Sequence, residues 1–163
     1  MLFRSDAEPT DAQYVAEEIA KIAGGYDLIL TGRESIDYNG GAVCGLLGSV
    51  LGIPSINVVT RIDYANGKFS FDRDIDGGRE TVSCAGPCVA SAQKDLCEPR
   101  IPNMRGIMAA RTKPLQVLAP QASANYADYT AYELPAAKSG VRLIDVSEAG
   151  KLIDILRNEA KVI

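Results

Sequence analysis

The chain has 163 residues, of which 47% are apolar and 23% charged, enough for one globular domain with a real core. Its formal charge of -4 and the lack of any Lys/Arg cluster give no footprint for nucleic acid, and no apolar stretch reaches the roughly 18 residues of a membrane span. Histidine is absent, which removes the commonest general base, the commonest zinc ligand and every Ser-His or Cys-His nucleophile pair.

The four cysteines, Cys44, Cys84, Cys88 and Cys97, do not form paired CxxC motifs, and no secretory signal precedes them. They read as small apolar residues in a reduced compartment, so no metal site and a cytoplasmic location are expected. Leu2-Phe3-Arg4-Ser5 lacks periodicity and reads as a sequence scar rather than a targeting peptide.

Thr10-Asp-Ala-Gln13 has a capping-box pattern, and Val15, Ile19, Ile22 and Ala23 follow at helical spacing up to Gly24-Gly25. Asp27–Thr31 is a short apolar run of the kind found in buried parallel strands. A polar loop follows, then a small-residue helix from about Gly41 to Leu51, ended by Pro54. Ser55–Arg61 is a second apolar strand, which completes a βαβ unit.

Asn66-Gly67 is a hairpin turn signal. Phe69 and Phe71 alternate with polar neighbours, so residues 68–75 form a half-exposed strand, and Arg79–Ser83 returns after Asp76-Gly77-Gly78. Pro87 opens a short run, Cys88-Val-Ala-Ser. Asn103 can cap a short helix through Ile107, Met108 and Arg111, and Leu115–Leu118 reads as a strand. Residues 120–135 read as an extended arm, in which Tyr126, Tyr129 and Tyr132 can anchor a partner or cover the domain's own core. Ser147 is the expected cap of a last helix whose apolar stripe is Ala149, Leu152, Ile153, Leu156 and Ala160.

The pattern predicts an α/β, Rossmann-like parallel sheet with an inserted β-hairpin and a C-terminal arm and helix. We divide it into residues 6–118, a nucleotide-binding domain, and residues 119–163, the arm and helix. A doubly wound sheet uses about five parallel strands, and this chain offers fewer, which leaves a strand edge exposed.

Gly32 to Val43, between a strand and a helix, is the candidate nucleotide loop: Gly32, Arg33, Glu34, Ser35, Ile36, Asp37, Tyr38, Asn39, Gly40, Gly41, Ala42 and Val43. Backbone N–H groups at a helix N-terminus bind phosphate there, and Gly40 and Gly41 let a backbone approach closely. On pattern alone the segment reads first as an ordinary βα turn, an order that only a family resemblance reverses. No catalytic residue is identified. An adenine-nucleotide hydrolase and a small nucleotide-sensing stress-type module on the same fold are the rival readings.

Three stretches carry a resemblance: Asp27–Asp37, Asp74-Ile-Asp-Gly-Gly-Arg-Glu-Thr81, and Glu98-Pro-Arg100 with Ile107-Met108. Their joint order is similar to the β subunit of electron transfer flavoproteins, across nearly all of residues 11–163. The family's first third has no counterpart, so the resemblance implies an N-terminally truncated chain. It also implies a heterodimer with an α subunit that holds most of an electron-carrying FAD. The β subunit then binds AMP, or a second FAD in bifurcating members. Such a complex takes electrons from acyl-CoA and related dehydrogenases, as in fatty acid oxidation, and passes them to a membrane quinone oxidoreductase.

By the same resemblance, Asp74 faces an arginine of the α subunit. Glu98, Arg100, Met104, Ile107 and Met108 belong to the dehydrogenase-docking segment, with Met104 where relatives often place a leucine. Where many members use Asn-Gln-Thr to hold phosphate, this chain has Gly41-Ala42-Val43, so only backbone donors remain at those positions.

Overall fold

The computed structural model describes residues 2–5, 11–36, 39–94, 96–120, 125–138 and 140–163. It divides into two compact units, Met1–Tyr129 and Thr130–Ile163; the sequence reading set its division at 118/119.

In the first unit, helix α1 (Ala12–Ala23) buries Ala16 and Ala23 on its inner side. Its cap is not Thr10, which lies outside the described residues, but Asp11. The Tyr14 amide donates to Asp11 Oδ1 at 2.8 Å, a charge-assisted bond. Gln13 does not reach back as a capping box requires; its Nε2 donates to Glu17 Oε1 at 2.8 Å.

Strand β2 (Leu28–Gly32) leads to helix α2 (Val43–Leu51) and strand β3 (Ser55–Ala65). Strand β1 (Leu2–Ser5) precedes them all. A turn at Asn66-Gly67, with φ of 53° and 75°, joins β3 to β4 (Lys68–Ile75), and β5 (Gly78–Cys84) follows. Two positive φ angles in a two-residue loop are the type I′ geometry that matches strand twist. The chain then returns as β6 (Cys88–Ala92), which inserts between β2 and β3. The sheet order is β2-β6-β3-β4-β5, parallel from β2 to β3 and antiparallel from β3 to β5. This is an α/β, Rossmann-like sheet with an appended hairpin.

The sheet buries two clusters on its two faces. On one, Ala16 of α1 and Cys44 and Leu47 of α2 pack with Val89. On the other, Ile56, Val59, Phe69, Phe71, Cys88 and Ala90 pack together. Close approach of α2 to the sheet depends on Gly48, where a Cβ would lie 2.8 Å from Ser55 Cβ.

Two expectations need correction. Asp27–Thr31 is not fully buried: β2 is an edge strand, and Leu30 is 54% exposed beside an open apolar groove lined by Ile19, Ile22 and Tyr26. Leu2–Ser5, which lacks periodicity, is nonetheless a strand: it pairs in parallel with β7 (Leu115–Leu118) in a separate two-stranded sheet. Backbone pairing with an available edge needs no side-chain periodicity, so the sequence pattern did not signal it. Between β6 and β7, helix α3 (Met104–Ala110) is capped by Asn103, whose Oδ1 accepts from the Gly106 amide at 2.8 Å.

The second unit holds a 3₁₀ turn (Val146–Glu148), helix α4 (Ala149–Asp154) and a π-helical turn (Ile155–Glu159). Ser147 is not the cap: Asp145 caps the 3₁₀ turn, its carboxylate accepting from the Ser147 amide at 2.9 Å and also from the Ser147 hydroxyl, and α4 follows Glu148, which makes no side-chain capping bond. The stronger acceptor lies two residues earlier, and these bonds lower the Asp145 pKa, the Ser147 hydroxyl contributing most. Arg142 Nη1 donates to Glu159 Oε2 at 2.8 Å. Leu152 and Ile153 of the expected apolar stripe are exposed.

Candidate functional site

The parallel strands β2, β6 and β3 end their carboxyl edges on one side of the sheet, below the N-terminus of α2. In such folds this edge is where ligands bind. The loop from Gly32 to Val43 rises from it. The Ser35 amide donates to Gly40 O at 2.9 Å, closing a small hairpin, and Asn39 holds φ at 52°. Asp37 and Tyr38 lie outside the described residues. Gly41 returns the chain to the loop's base, where a Cβ on it would sit 3.5 Å from Arg33 O. Gly40 has open space where a Cβ would be, so its own fold does not demand glycine there. That space is open to an approaching group.

Helix α2 starts at Val43, two residues after the expected Gly41, and its N-cap Ala42 makes no side-chain capping bond. Ala42 has no side chain to cap the first-turn amides, in contrast to Asp11 of α1 and Asn103 of α3. Arg33 supplies a guanidinium at the loop base. Its Nη1 donates to Gln93 Oε1 at 3.5 Å and its Nε lies 3.9 Å from Glu34 Oε2.

Under the loop lies a polar floor that sequence reasoning missed. Thr31 and Ser91 are register partners on β2 and β6, and Cys44 of α2 sits against them. Burial pushes the Cys44 thiol up, and the nearby Thr31 and Ser91 hydroxyls partly offset it; Thr31 Oγ1 is itself buried without a hydrogen-bond partner among the described residues. The thiol reaches Ile56 O at 3.8 Å. At the opposite ends of the strands, burial first and the neighbouring Cys84 second push the Cys88 thiol up to about 12. Neither thiol is a ready nucleophile at neutral pH. Among the described residues no group of three or more His, Cys, Asp or Glu could hold a metal ion. No helix among them is long and apolar enough to cross a membrane.

The other singled-out residues lie away from the loop. Asp74 is on the β4–β5 hairpin, where its Oδ1 accepts from Arg79 Nε at 3.3 Å. Glu98 and Arg100 are exposed between β6 and α3. Helix α3 brings Met104, Ile107 and Met108 together, with exposures of 73%, 39% and 55%. Ile101 just before them is 95% exposed. Tyr126, Tyr129 and Tyr132 are exposed too, rather than covering the core.

The described loop residues fit a phosphoryl group: an arginine, uncapped helix amides and an open glycine. None of them is aromatic, so they offer no ring on which an isoalloxazine could stack.

A sequence model of the Electron transfer flavoprotein domain matches residues 2–123, which span both the loop and the α3 segment. An electron transfer flavoprotein subunit beta of Syntrophomonas wolfei is 35% identical over 139 residues, covering 83% of this chain and 55% of the relative. The Bacillus subtilis protein of that name is 33% identical over 149 residues, covering 85% and 58%. That of Bradyrhizobium diazoefficiens is 31% identical over 144 residues, covering 83% and 55%. The chain thus spans about half the length of these curated relatives. The chain belongs to the electron transfer flavoprotein family, in which the relatives it matches are β subunits.

Proposed function

We propose that the chain acts as the β subunit of a heterodimeric electron transfer flavoprotein: an electron-carrier subunit without bond-breaking chemistry of its own. With an α subunit it accepts electrons from acyl-CoA and related dehydrogenases and delivers them to a quinone oxidoreductase. The observation that carries this reading is the family match, which runs unbroken over the loop at 32–43 and the exposed helix α3. We place its action in the reducing cytoplasm, in keeping with four cysteines whose spacing gives no paired CxxC motif.

In this reading the loop holds the phosphate of AMP, or of a second FAD, through the α2 amides and Arg33. Flavin bound mainly by the α subunit supplies the redox chemistry. The chain's own residues bind, orient and dock. Exposed Met104, Ile107 and Met108 offer a thioether-rich apolar surface to the donor dehydrogenase. The C-terminal arm and helix offer their exposed apolar residues to the α subunit.

The test is co-expression with a candidate α subunit. A copurifying yellow heterodimer that is reduced by an acyl-CoA dehydrogenase and releases AMP on denaturation supports the reading. A colourless chain that assembles with no α subunit refutes it. Turnover of ATP to ADP or AMP by the chain alone would favour a nucleotide hydrolase.

A further inference from the structure

Positions 40–43 are Gly, Gly, Ala and Val, so no side chain there can donate to an anion. The one cationic side chain of the loop 32–43 is Arg33. We propose that Gln93 is a positioning residue: it holds the Arg33 guanidinium at the carboxyl edge of the sheet and makes Arg33 the loop's side-chain anchor for a nucleotide phosphate. The inference rests on the nucleotide-binding reading above.

Gln93 is well placed for this. It directly follows β6, the strand beside β2, and the register pairs Gly32 with Ala92, so the next residues along, Arg33 and Gln93, are neighbours. The Gln93 amide donates to Val59 O at 2.9 Å, which ties its backbone to β3. Its Oε1 accepts from the Lys94 amide at 3.3 Å and from Arg33 Nη1 at 3.5 Å. The acceptor is therefore fixed before Arg33 arrives. The guanidinium has five N–H donors, and its contacts with Gln93 and Glu34 leave others for a ligand.

Topology gives the contact a direction. Among the described residues β2 pairs with β6, and α2 packs over both. A hydrogen bond to Gln93 draws Arg33 toward β6 and the α2 amides. Without it the guanidinium is left to its 3.9 Å contact with Glu34. Arg33 O already lies beside Gly41, at the base of the same loop. A held guanidinium and the helix amides then face one anion together.

The test compares AMP with adenosine by titration calorimetry on the full chain, for wild type, Gln93→Ala, Arg33→Gln and the double variant. Wild type is expected to prefer AMP. Gln93→Ala should weaken AMP about three- to tenfold, the range for a hydrogen bond to a charged group, and leave adenosine unchanged. In the Arg33→Gln background the Gln93 change should have no further effect on AMP. Equal loss for AMP and adenosine, additive losses in the double variant, or no loss in Gln93→Ala would overturn the positioning role and leave the nucleotide reading intact. A wild-type chain that binds neither ligand, or binds both equally, would overturn both.

Discussion

The Val58 amide donates to the Ser91 hydroxyl at 2.8 Å while Val58 holds φ at 60°. A β-branched residue at positive φ is strained. It sits where the register of β3 against β6 shifts between Ile56 and Val59, and just beyond, β3 begins to pair with β4. The irregularity takes the Val58 amide out of the ladder, and Ser91, 1% exposed, supplies the acceptor instead. Ser91→Ala should therefore cost about 1–3 kcal/mol, read as a lower urea midpoint at unchanged m value. Val58→Gly should cost less than the same change at the fully buried Val59, because it relieves roughly 1–2 kcal/mol of left-handed strain. Equal losses at the two valines would mean the strain is not stored at Val58.

Two glycines of α2 should respond oppositely to alanine. At Gly48 an added Cβ would meet Ser55 Cβ at 2.8 Å and Ile53 O at 3.0 Å, and the backbone cannot give way cheaply. Gly48→Ala should push α2 off the sheet and cost about 1–3 kcal/mol. At Gly45 an added Cβ meets nothing within 4 Å. Gly45→Ala should stabilise the chain by up to about 1 kcal/mol through helix propensity. Thermal melts of the two variants should move in opposite directions.

Asp11 ties two distant segments. It caps α1 through the Tyr14 amide and also accepts from the amides of Tyr126 and Ala127. These bonds, the Tyr14 one first, hold its pKa below the ordinary 3.8. A depressed folded pKa means that the unfolded chain binds the proton more readily. The stabilisation is complete above the unfolded value and is lost as pH falls through the folded one. Asp11→Asn keeps a capping oxygen but cannot titrate. Its melting temperature should therefore fall less steeply than wild type over the acid range, and parallel curves would refute the assignment.

What the sequence disclosed follows from the range of each interaction. The stripe of α1, the Asn66-Gly67 turn and the Asn103 cap are local, and each was readable from neighbours within four residues. The insertion of β6 between β2 and β3 was not, because Cys88-Val-Ala-Ser carries no mark of its partners. The pairing of Leu2–Ser5 with β7 spans more than a hundred residues and uses only backbone groups. The loop at 32–43 was legible from its place between strand and helix. Its companions Gln93, Ser91 and Thr31 were not, since only the β2–β6 register brings them together. At the C-terminal turn the Asp145 carboxylate, rather than the Ser147 hydroxyl, is the capping acceptor, a ranking that composition alone does not decide.

Asp74 and Arg79 face each other across the hairpin as register partners, and both side chains are largely exposed. Asp74→Asn should alter stability by less than about 0.5 kcal/mol. If Asp74 also meets an arginine of the α subunit, Arg79 competes for it. Arg79→Ala should then strengthen the contact between subunits, and Asp74→Asn should weaken it. Flavin-to-acceptor transfer rates in the assembled complex should change in opposite directions for the two variants, with chemical denaturation curves of the isolated chain superimposable. Identical rates in both would remove Asp74 from the interface.

Met104 is 73% exposed at the first turn of α3, and Met108 is one turn further along the same short helix. A thioether is flexible and polarisable enough to fill pockets of differing shape, which suits a surface that meets several dehydrogenases. Little internal packing depends on it at that exposure. Met104→Ala should leave thermal stability and α-subunit assembly unchanged while slowing electron transfer from an acyl-CoA dehydrogenase about tenfold, the scale of one lost apolar anchor at an interface. Met104→Leu should retain most of the rate, because it keeps the volume and apolar character. A wild-type rate in Met104→Ala would move the docking contact to Ile101 or Met108, whose alanine variants are the controls in the same assay.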